Sequence, residues 1–466
     1  MLERNKKVAF YCSGNFSELL FHLSGDVEGI TPIYYLQNFK GLKFFKINNN
    51  CQIYRYQFEK FNTLIKKKIP ESVINYNEVY QADKSHFKKF SGKYVKTVIS
   101  TFAYIFKDWI QTDKPDFVFF PIIESLDAMT LYLVCKELNI QTIVYTHSRL
   151  THLSLLSPDK YESYPKILDE DWSKIFLLSN NSDVLSIAKN LMSSHKRLNN
   201  QADLSIKFLN EENTDALFQP KIPNAASRFL NNILHKFGSE RHNKFINNNT
   251  KIRVALHRVF IPLGNFIYNL IEKLYLNPKR VDSLPDKYNF FPLQFSPESS
   301  INTPAPYYID QIRAIDKILL SSHLPLVICE HPAVYGKRPF SFYRAIKKRP
   351  NLYFSSHNDD YNKIMSRAEK VYSVTGTVSL ECFMKNKPYA LFGKNLLTSF
   401  LEHFSKVLSH VRIDSRLLFV ASLFHFGKLF LILPHQGKIG PRDLALFSKA
   451  NKDNFASALY DFIKRH

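Results

Sequence analysis

Three segments in the last 180 or so residues carry side chains suited to gripping a phosphate or a sugar. The run Val371-Tyr-Ser373-Val-Thr375-Gly376-Thr377-Val-Ser379-Leu-Glu381 reads as a strand ending in a small-residue turn that opens a helix. Gly376 lets the backbone approach an anion, Ser373, Thr375, Thr377 and Ser379 offer hydroxyls, and the helix start supplies oriented N–H groups. Glu381, one turn on, is a carboxylate of the kind that holds ribose hydroxyls. In Leu326-Val-Ile-Cys-Glu330-His331-Pro332, Pro332 stops a strand so that Glu330 and His331 project near its end, with Lys337, Arg338, Tyr343 and Arg344 following. An imidazole there can donate to a phosphate or, protonated, offset charge on a departing nucleotide. The third segment, Phe291-Pro-Leu-Gln294-Phe-Ser-Pro297-Glu298, joins an apolar strand to a polar loop and brings Gln294 and Glu298 toward a cleft. Each segment also has an ordinary reading: a turn with hydroxyl caps, a structural histidine, a plain loop.

A fourth group lies earlier in the chain. Lys114 to Pro121 reads as a strand, Ser125 to Leu138 as a helix and Gln141 to Thr146 as a strand, a βαβ unit that puts Glu124, Asp127, His147 and Arg149 at the carboxyl edge of a sheet. Transfer of a group to a hydroxyl needs a residue that deprotonates or orients that hydroxyl and one that compensates the leaving charge. Glu124 and Asp127 are the candidate acids or bases, and His147 and Arg149 the candidate cleft or acceptor contacts. No Asp-X-Asp triplet follows a strand. Asn358-Asp359-Asp360 suits a helix cap instead, so no metal and no cofactor are expected. Whether such a transfer inverts or retains configuration is left open.

The elements that must hold these groups alternate between strand and helix character. The expected fold is α/β, two Rossmann-like domains facing a cleft (the GT-B type) with a basic helical insert. The domains expected are residues 1–200 on the acceptor side, an insert or linker at 201–285, and 286–466 on the donor side. Strands are expected at Val8–Cys12, Phe290–Phe295, Leu326–Cys329, Leu352–Phe354, Lys370–Ser373 and Tyr389–Phe392. From Lys221 to Arg280 there are eleven Lys/Arg against two Glu, with an apolar face interrupted by Pro262 and Gly264. Such a stretch suits a helix pair packed on its own domain or a docking surface for a membrane.

The whole chain has 466 residues, 45% hydrophobic and 22% charged, with 63 Lys/Arg against 41 Asp/Glu for a net charge of +22. That length favours two cores over one, and the charge favours an anionic partner. Nucleic acid is not the expected partner: no recognisable DNA- or RNA-reading motif is present, and Phe and Tyr fall in core-like runs. No signal peptide precedes Val8, and no run reaches the roughly 18 apolar residues of a spanning helix. The five cysteines, Cys12, Cys51, Cys135, Cys329 and Cys382, lack metal spacing and suit free thiols in a reducing cytoplasm. The expected location is cytoplasmic, at most peripheral on the inner face of the membrane.

The order Gln294…Pro297-Glu298, Glu330-His331-Pro332, Thr375-Gly376-Thr377…Glu381 resembles bacterial capsule-polysaccharide biosynthesis proteins, a family that includes transferases of Kdo from CMP-Kdo. The resemblance is best from Asn289 to Gly393, and the stretches Lys114–Asp127 and Thr146–Arg149 are similar to the family's N-terminal half. It implies that His331 contacts the donor phosphate, that Ser373, Thr375, Gly376 and Thr377 contact the nucleotide, and that Gln294 and Glu298 line the sugar-binding cleft, with Glu298 joining the catalytic candidates. The chain has Ser296-Pro297-Glu298 where family members often read Gln-Pro-Glu. The expected function is transfer of a sugar from a nucleotide-activated donor to a growing capsular or other surface polysaccharide. The partners are the nucleotide sugar, the glycan acceptor and the polysaccharide-assembly machinery. The alternatives are a sugar-nucleotide epimerase of the same fold and a non-catalytic, membrane-docked assembly factor.

Overall fold

A computed structural model describes residues 5–12, 16–25, 27–36, 52–55, 74–83, 91–150, 153–193, 270–294, 299–331, 338–356, 359–408, 413–430, 432 and 446–466. Glu298, Pro332, Lys337, Cys51 and the insert up to residue 269 lie outside the described residues.

The first sheet contains β1 (Lys6–Cys12), β2 (Ile30–Leu36), β3 (Gln52–Arg55), β4 (Phe117–Phe120), β5 (Gln141–His147) and β6 (Ser154–Ser157). Its spatial order is β3-β2-β1-β4-β5-β6, and only β5–β6 pairs antiparallel. The helices of this part of the chain are α1 (Phe16–Ser24), α2 (Tyr76–Ala82), α3 (Gly92–Asp113), α4 (Leu126–Glu137), α5 (Asp169–Ser179) and α6 (Ser182–Ser193).

The second sheet contains β7 (Asn289–Pro292), β8 (Leu326–Cys329), β9 (Leu352–Ser355), β10 (Lys370–Ser373) and β11 (Tyr389–Leu391), all parallel in the order β11-β10-β7-β8-β9. Its helices are α7 (Ser299–Asn302), α8 (Ile312–Ser321), α9 (Phe340–Lys347), α10 (Tyr361–Arg367), α11 (Val378–Met384), α12 (Leu396–Leu408) and α13 (Ser415–Phe426), with α14 (Lys449–Arg465) at the end of the chain. Both sheets are Rossmann-like. Each reverses its strand order once, between β1 and β4 in the first and between β7 and β10 in the second, and such a reversal opens a crevice at the carboxyl ends of the strands.

The strand β4 shows why these sheets read as unbroken apolar runs. All four of its residues, Phe-Val-Phe-Phe, are buried, because helices cover both faces. Val118 and Phe120 face α3 and α4, while Phe117 and Phe119 face α1 and α14. Helix α3 is delivered to β4 by two local devices. The Ser91 hydroxyl accepts from the Tyr94 N–H at 3.3 Å at its start, and Lys114, left-handed at φ 49°, donates to the Ile110 carbonyl at its end. Pro115 then prevents the helix from continuing.

The chain crosses between the two cores more often than the boundaries 1–200 and 286–466 provide for. The apolar face of α14, with Phe455, Leu459, Phe462 and Ile463, closes the first sheet. Helices α5 and α6 pack with α11, α12 and α13 in a separate cluster. Val281 and Leu284, assigned from sequence to the insert, sit in the second core. Hydrophobic periodicity shows that a helix has an apolar face, not which sheet receives it. At the Asn-Asp-Asp run, Asp360 caps α10, its carboxylate accepting from the Asn362 N–H at 2.9 Å. Among the described residues no helix is long and apolar enough to cross a membrane.

Candidate functional site

In the second sheet the crevice between β7 and β10 is spanned by side chains. The Gln294 Nε2 donates to Ser373 Oγ at 2.7 Å, and the same hydroxyl oxygen accepts from the Gly376 N–H at 3.0 Å. Gln294 is held by a reciprocal pair with Gln311: its N–H donates to Gln311 Oε1 at 2.8 Å, and Gln311 Nε2 donates to its carbonyl at 2.9 Å. Gln294 Oε1 is buried and has no hydrogen-bond partner among the described residues. A β carbon at Gly376 would lie 2.3 Å from Gln294 Nε2, so only glycine lets the turn close on the glutamine. The turn itself is partly open: Gly376 and Thr377 are half-buried, whereas Ser373 and Thr375 are buried. Helix α11 begins at Val378, directly after Thr377.

Beyond β8, Glu330 and His331 separate in role. The Glu330 side chain is 0% exposed. Its carboxylate accepts from Arg338 Nε at 2.8 Å, from the Tyr343 hydroxyl at 3.2 Å and from the His331 N–H at 2.8 Å. Arg338 continues the chain of contacts by donating from Nη2 to the Gln294 carbonyl at 2.7 Å, with its guanidinium over the Phe342 ring at 4.8 Å. Glu330, expected as a ligand contact, thus anchors Arg338 and through it the exits of β7 and β8. His331 remains half-buried at the end of the strand. Glu381, singled out as a ribose contact, is 1% exposed, and its carboxylate lies inside the domain.

The first sheet bridges its crevice in the same manner. From β1, the Tyr11 hydroxyl donates to Asp127 Oδ2 at 2.8 Å, and the Ser125 hydroxyl donates to Asp127 Oδ1 at 2.5 Å. Ser125 is also the N-cap of α4. Burial first, and the nearby Asp127 charge second, push the Tyr11 phenol well above its usual range, which keeps it a donor. With both oxygens engaged and 9% exposure, Asp127 ties β1 to α4. Glu124, just before that cap, is half-buried and is the more accessible carboxylate.

After β5, His147 Nδ1 accepts from the Arg149 N–H at 3.1 Å, which places the neutral ring's hydrogen on Nε2. Arg149 is left-handed at φ 62°, and so is its ion-pair partner Glu162 at φ 61°. Such backbones cost about 1–3 kcal/mol each for residues other than glycine and are retained where surrounding contacts impose them.

The two halves meet at these strand exits. The Thr303 hydroxyl, just past α7, donates to the Ile123 carbonyl at 2.5 Å. Arg149 Nη1 reaches the Thr375 carbonyl at 3.5 Å, and Asn395 Nδ2 donates to that same carbonyl at 3.3 Å. Gly393, which follows β11, has Thr375 Cγ2 and Ala305 Cβ within 2.7 Å of where a β carbon would sit. The structure therefore brings Arg149, Thr375 and Gly376 to one boundary between the halves, with Gln294 and Ser373 behind the turn, and Ile123, which precedes Glu124, also contacts the other half through Thr303. Gln311, Arg338, Thr303, Asn395, Ser125, Tyr11 and Glu162 complete the site but were not singled out as site residues from sequence. Of these only Arg338 carried a signal, through its place after the His-Pro motif.

No protein family and no curated protein matches this sequence. Among solved structures, the chain is similar to the beta Kdo 2,7 transferase KpsC of Thermosulfurimonas dismutans at 10% identity and a TM-score of 0.37, covering 96% of this chain and 100% of that one. It is also similar to a UDP-GlcNAc 2-epimerase of Methanocaldococcus jannaschii in complex with UDP-GlcNAc and UDP, at 11% identity and a TM-score of 0.23 over 98% and 99% of the two chains. A third similar structure is a glycosyltransferase of Rickettsia africae, at 9% identity and a TM-score of 0.24 over 99% and 98%.

Proposed function

We propose that this chain is a glycosyltransferase that moves a sugar from a nucleotide-activated donor to a glycan acceptor in surface-polysaccharide synthesis. The observation that carries the reading is the Ser373–Thr377 turn. It closes on Gln294, whose amide a β carbon at Gly376 would displace, lies at the switch point of a parallel sheet, and borders the exits of the other sheet through Arg149. The donor's phosphate sits beside Gly376 on the N–H and hydroxyl of Thr377, and His331 donates to it from the neighbouring strand exit. Gln294, with its buried acceptor Oε1, lines the sugar side.

In the reaction, the bond from the anomeric carbon to the donor phosphate oxygen breaks with its electron pair left on phosphate. The acceptor hydroxyl oxygen bonds to that carbon, and its proton passes to a carboxylate. Glu124 takes that proton, because Asp127 already accepts two hydrogen bonds. The His331 and turn donors compensate the charge that builds on the leaving phosphate. The donor class implied by the capsule-family resemblance is a CMP-activated acidic sugar.

The test is calorimetric binding of CMP, UDP and GDP to the wild type and to His331→Ala, followed by product analysis with and without acceptor glycan. A hydrogen bond to a charged group is worth about 1.5–3 kcal/mol, so the variant is expected to bind about ten- to a hundredfold more weakly. CMP binding that depends on His331 supports the acidic-sugar donor. UDP or GDP binding retains the transferase and replaces the donor. Conversion of the donor sugar without acceptor identifies an epimerase, and the absence of any nucleotide binding at millimolar concentration overturns the reading.

A further inference from the structure

We propose that Arg149 is the first domain's ligand for the donor phosphate, aimed at the Thr375–Gly376 turn by its ion pair with Glu162. This deepens the proposed function and rests on it. From sequence, Arg149 stood with His147 as an acceptor-side residue; its contacts place it on the donor side.

Three observations converge. The Arg149 guanidinium crosses the boundary between the halves, ion-paired through Nη2 to Glu162 and reaching with Nη1 to the Thr375 carbonyl at 3.5 Å. That carbonyl is the backbone group immediately before Gly376. Its contact with Arg149 is long, and Asn395 Nδ2 donates to the same oxygen at 3.3 Å. Arg149 can turn from the carbonyl toward an anion on the turn without leaving a buried acceptor unsatisfied, since Asn395 keeps it paired.

The second observation is the backbone. Arg149 and Glu162 are both left-handed non-glycine residues, at φ 62° and 61°, and they pair with each other. The Arg149 N–H is tied to His147 Nδ1 at 3.1 Å, so the start of the side chain is fixed as well as its head. A guanidinium held at both ends loses little freedom on meeting a ligand.

The third is charge. Glu162 is the carboxylate paired with Arg149 among the described residues. A phosphate on the turn would be a second anion for it, accepting from the planar fork in the manner guanidinium groups favour.

The consequence is that phosphate binding requires donors from both halves, the turn from one and Arg149 from the other. The experiment compares Arg149→Ala and Arg149→Lys with the wild type in binding CMP, UDP and GDP, the matching nucleosides, and inorganic pyrophosphate, with thermal unfolding as the check on folding. Arg149→Ala is expected to lose at least tenfold in affinity for the nucleotide that the wild type binds and nothing for its nucleoside. Arg149→Lys, which keeps the charge without the fork, is expected to fall between the two and reads the same question if the alanine variant does not fold. Unchanged nucleotide affinity in a folded variant, or equal losses for nucleotide and nucleoside, overturns the inference and leaves the proposed function standing. If the wild type binds pyrophosphate through Arg149 but no nucleotide, the anion site stands and the nucleotide reading falls. If it binds neither, both fall.

Discussion

A β carbon at position 376 would meet the end of the Gln294 side chain at 2.3 Å and Ser373 Oγ at 3.2 Å. The first of these is a movable amide, so Gly376→Ala is expected to displace Gln294 from Ser373 while the fold survives. The stability cost is about 1–2 kcal/mol, and nucleotide affinity is expected to fall by more than that, because the turn can no longer approach an anion. Thermal unfolding and calorimetry on the same sample measure both. Asp113 gives a second prediction away from the site. At the C-terminus of α3, burial raises its pKa to about 6, despite the Tyr35 hydroxyl and the Lys7 charge, which both lower it. Its pKa is higher folded than unfolded, so the folded state holds the proton more tightly. The associated stability is present below about pH 4 and is lost as pH rises through about 6. Asp113→Asn is expected to remove that fall, seen as a gain in urea midpoint over the wild type that is larger at pH 7 than at pH 4. At this scale the sequence disclosed the types of the site residues but not their partners. The small-residue turn after Ser373 was legible because only a close approach explains glycine between two threonines at a strand exit. The burial of Glu330 beneath Arg338 was not, since a carboxylate following a strand reads the same whether it faces a ligand or a guanidinium.

Among the elements, the strands were the most legible part. The runs at β4, β5, β8, β9, β10 and β11 were foreseen within a residue or two at most termini, because strands covered on both faces are written as short apolar runs. The exit of β7 shifted more, ending at Pro292 rather than continuing to Phe295, because Gln294 leaves the sheet to pair with Gln311. What unites helices α5, α13 and α14 was invisible. Asp171 of α5 accepts from Arg465 of α14 at 2.6 Å and contacts His425 of α13 at 2.6 Å, while also capping its own helix through the Leu168 N–H at 2.6 Å. Burial opposes the charge on Asp171, but the Arg465, Leu168 and His425 hydrogen bonds prevail and hold its pKa below the usual range. Burial pushes the His425 pKa down against the pull of Asp171. These partners lie 254 and 294 residues away in the chain, and no local pattern encodes such a meeting. Asp171→Ala is expected to destabilise the fold by about 3–5 kcal/mol, since it strands a guanidinium and an imidazole together under partial burial. Replacing His425 as well should recover part of that loss, and a double-mutant cycle in urea measures it.

For the molecule as a whole, the return of α14 to the first sheet governs what holds the halves together. Phe455 stacks edge-on to Phe119 at 5.6 Å and Phe462 to Phe117 at 6.5 Å, so the last helix forms part of the first core. Deleting residues 446–466 removes Phe455, Leu459, Phe462 and Ile463 from that face. At roughly 1.5–3 kcal/mol for each large buried apolar side chain, this loss rivals the whole stability of a typical domain. The truncated chain is expected to show protease-sensitive sites throughout residues 5–150 while residues 338–408 stay resistant, as limited proteolysis with mass mapping reports. Loss of resistance in the second region first would contradict the packing described. The two crossings also bear on movement: a change in the angle between the halves must bend the chain between β6 and α5 and again between α13 and α14. The same feature has a consequence during synthesis. The ribosome makes β1 and β4 early, yet the aromatic face they share is covered by α1 alone until α14 emerges, on the order of tens of seconds later. The half of the protein that is born first is completed last, and in that interval Phe10, Phe117 and Phe119 are natural clients for a chaperone.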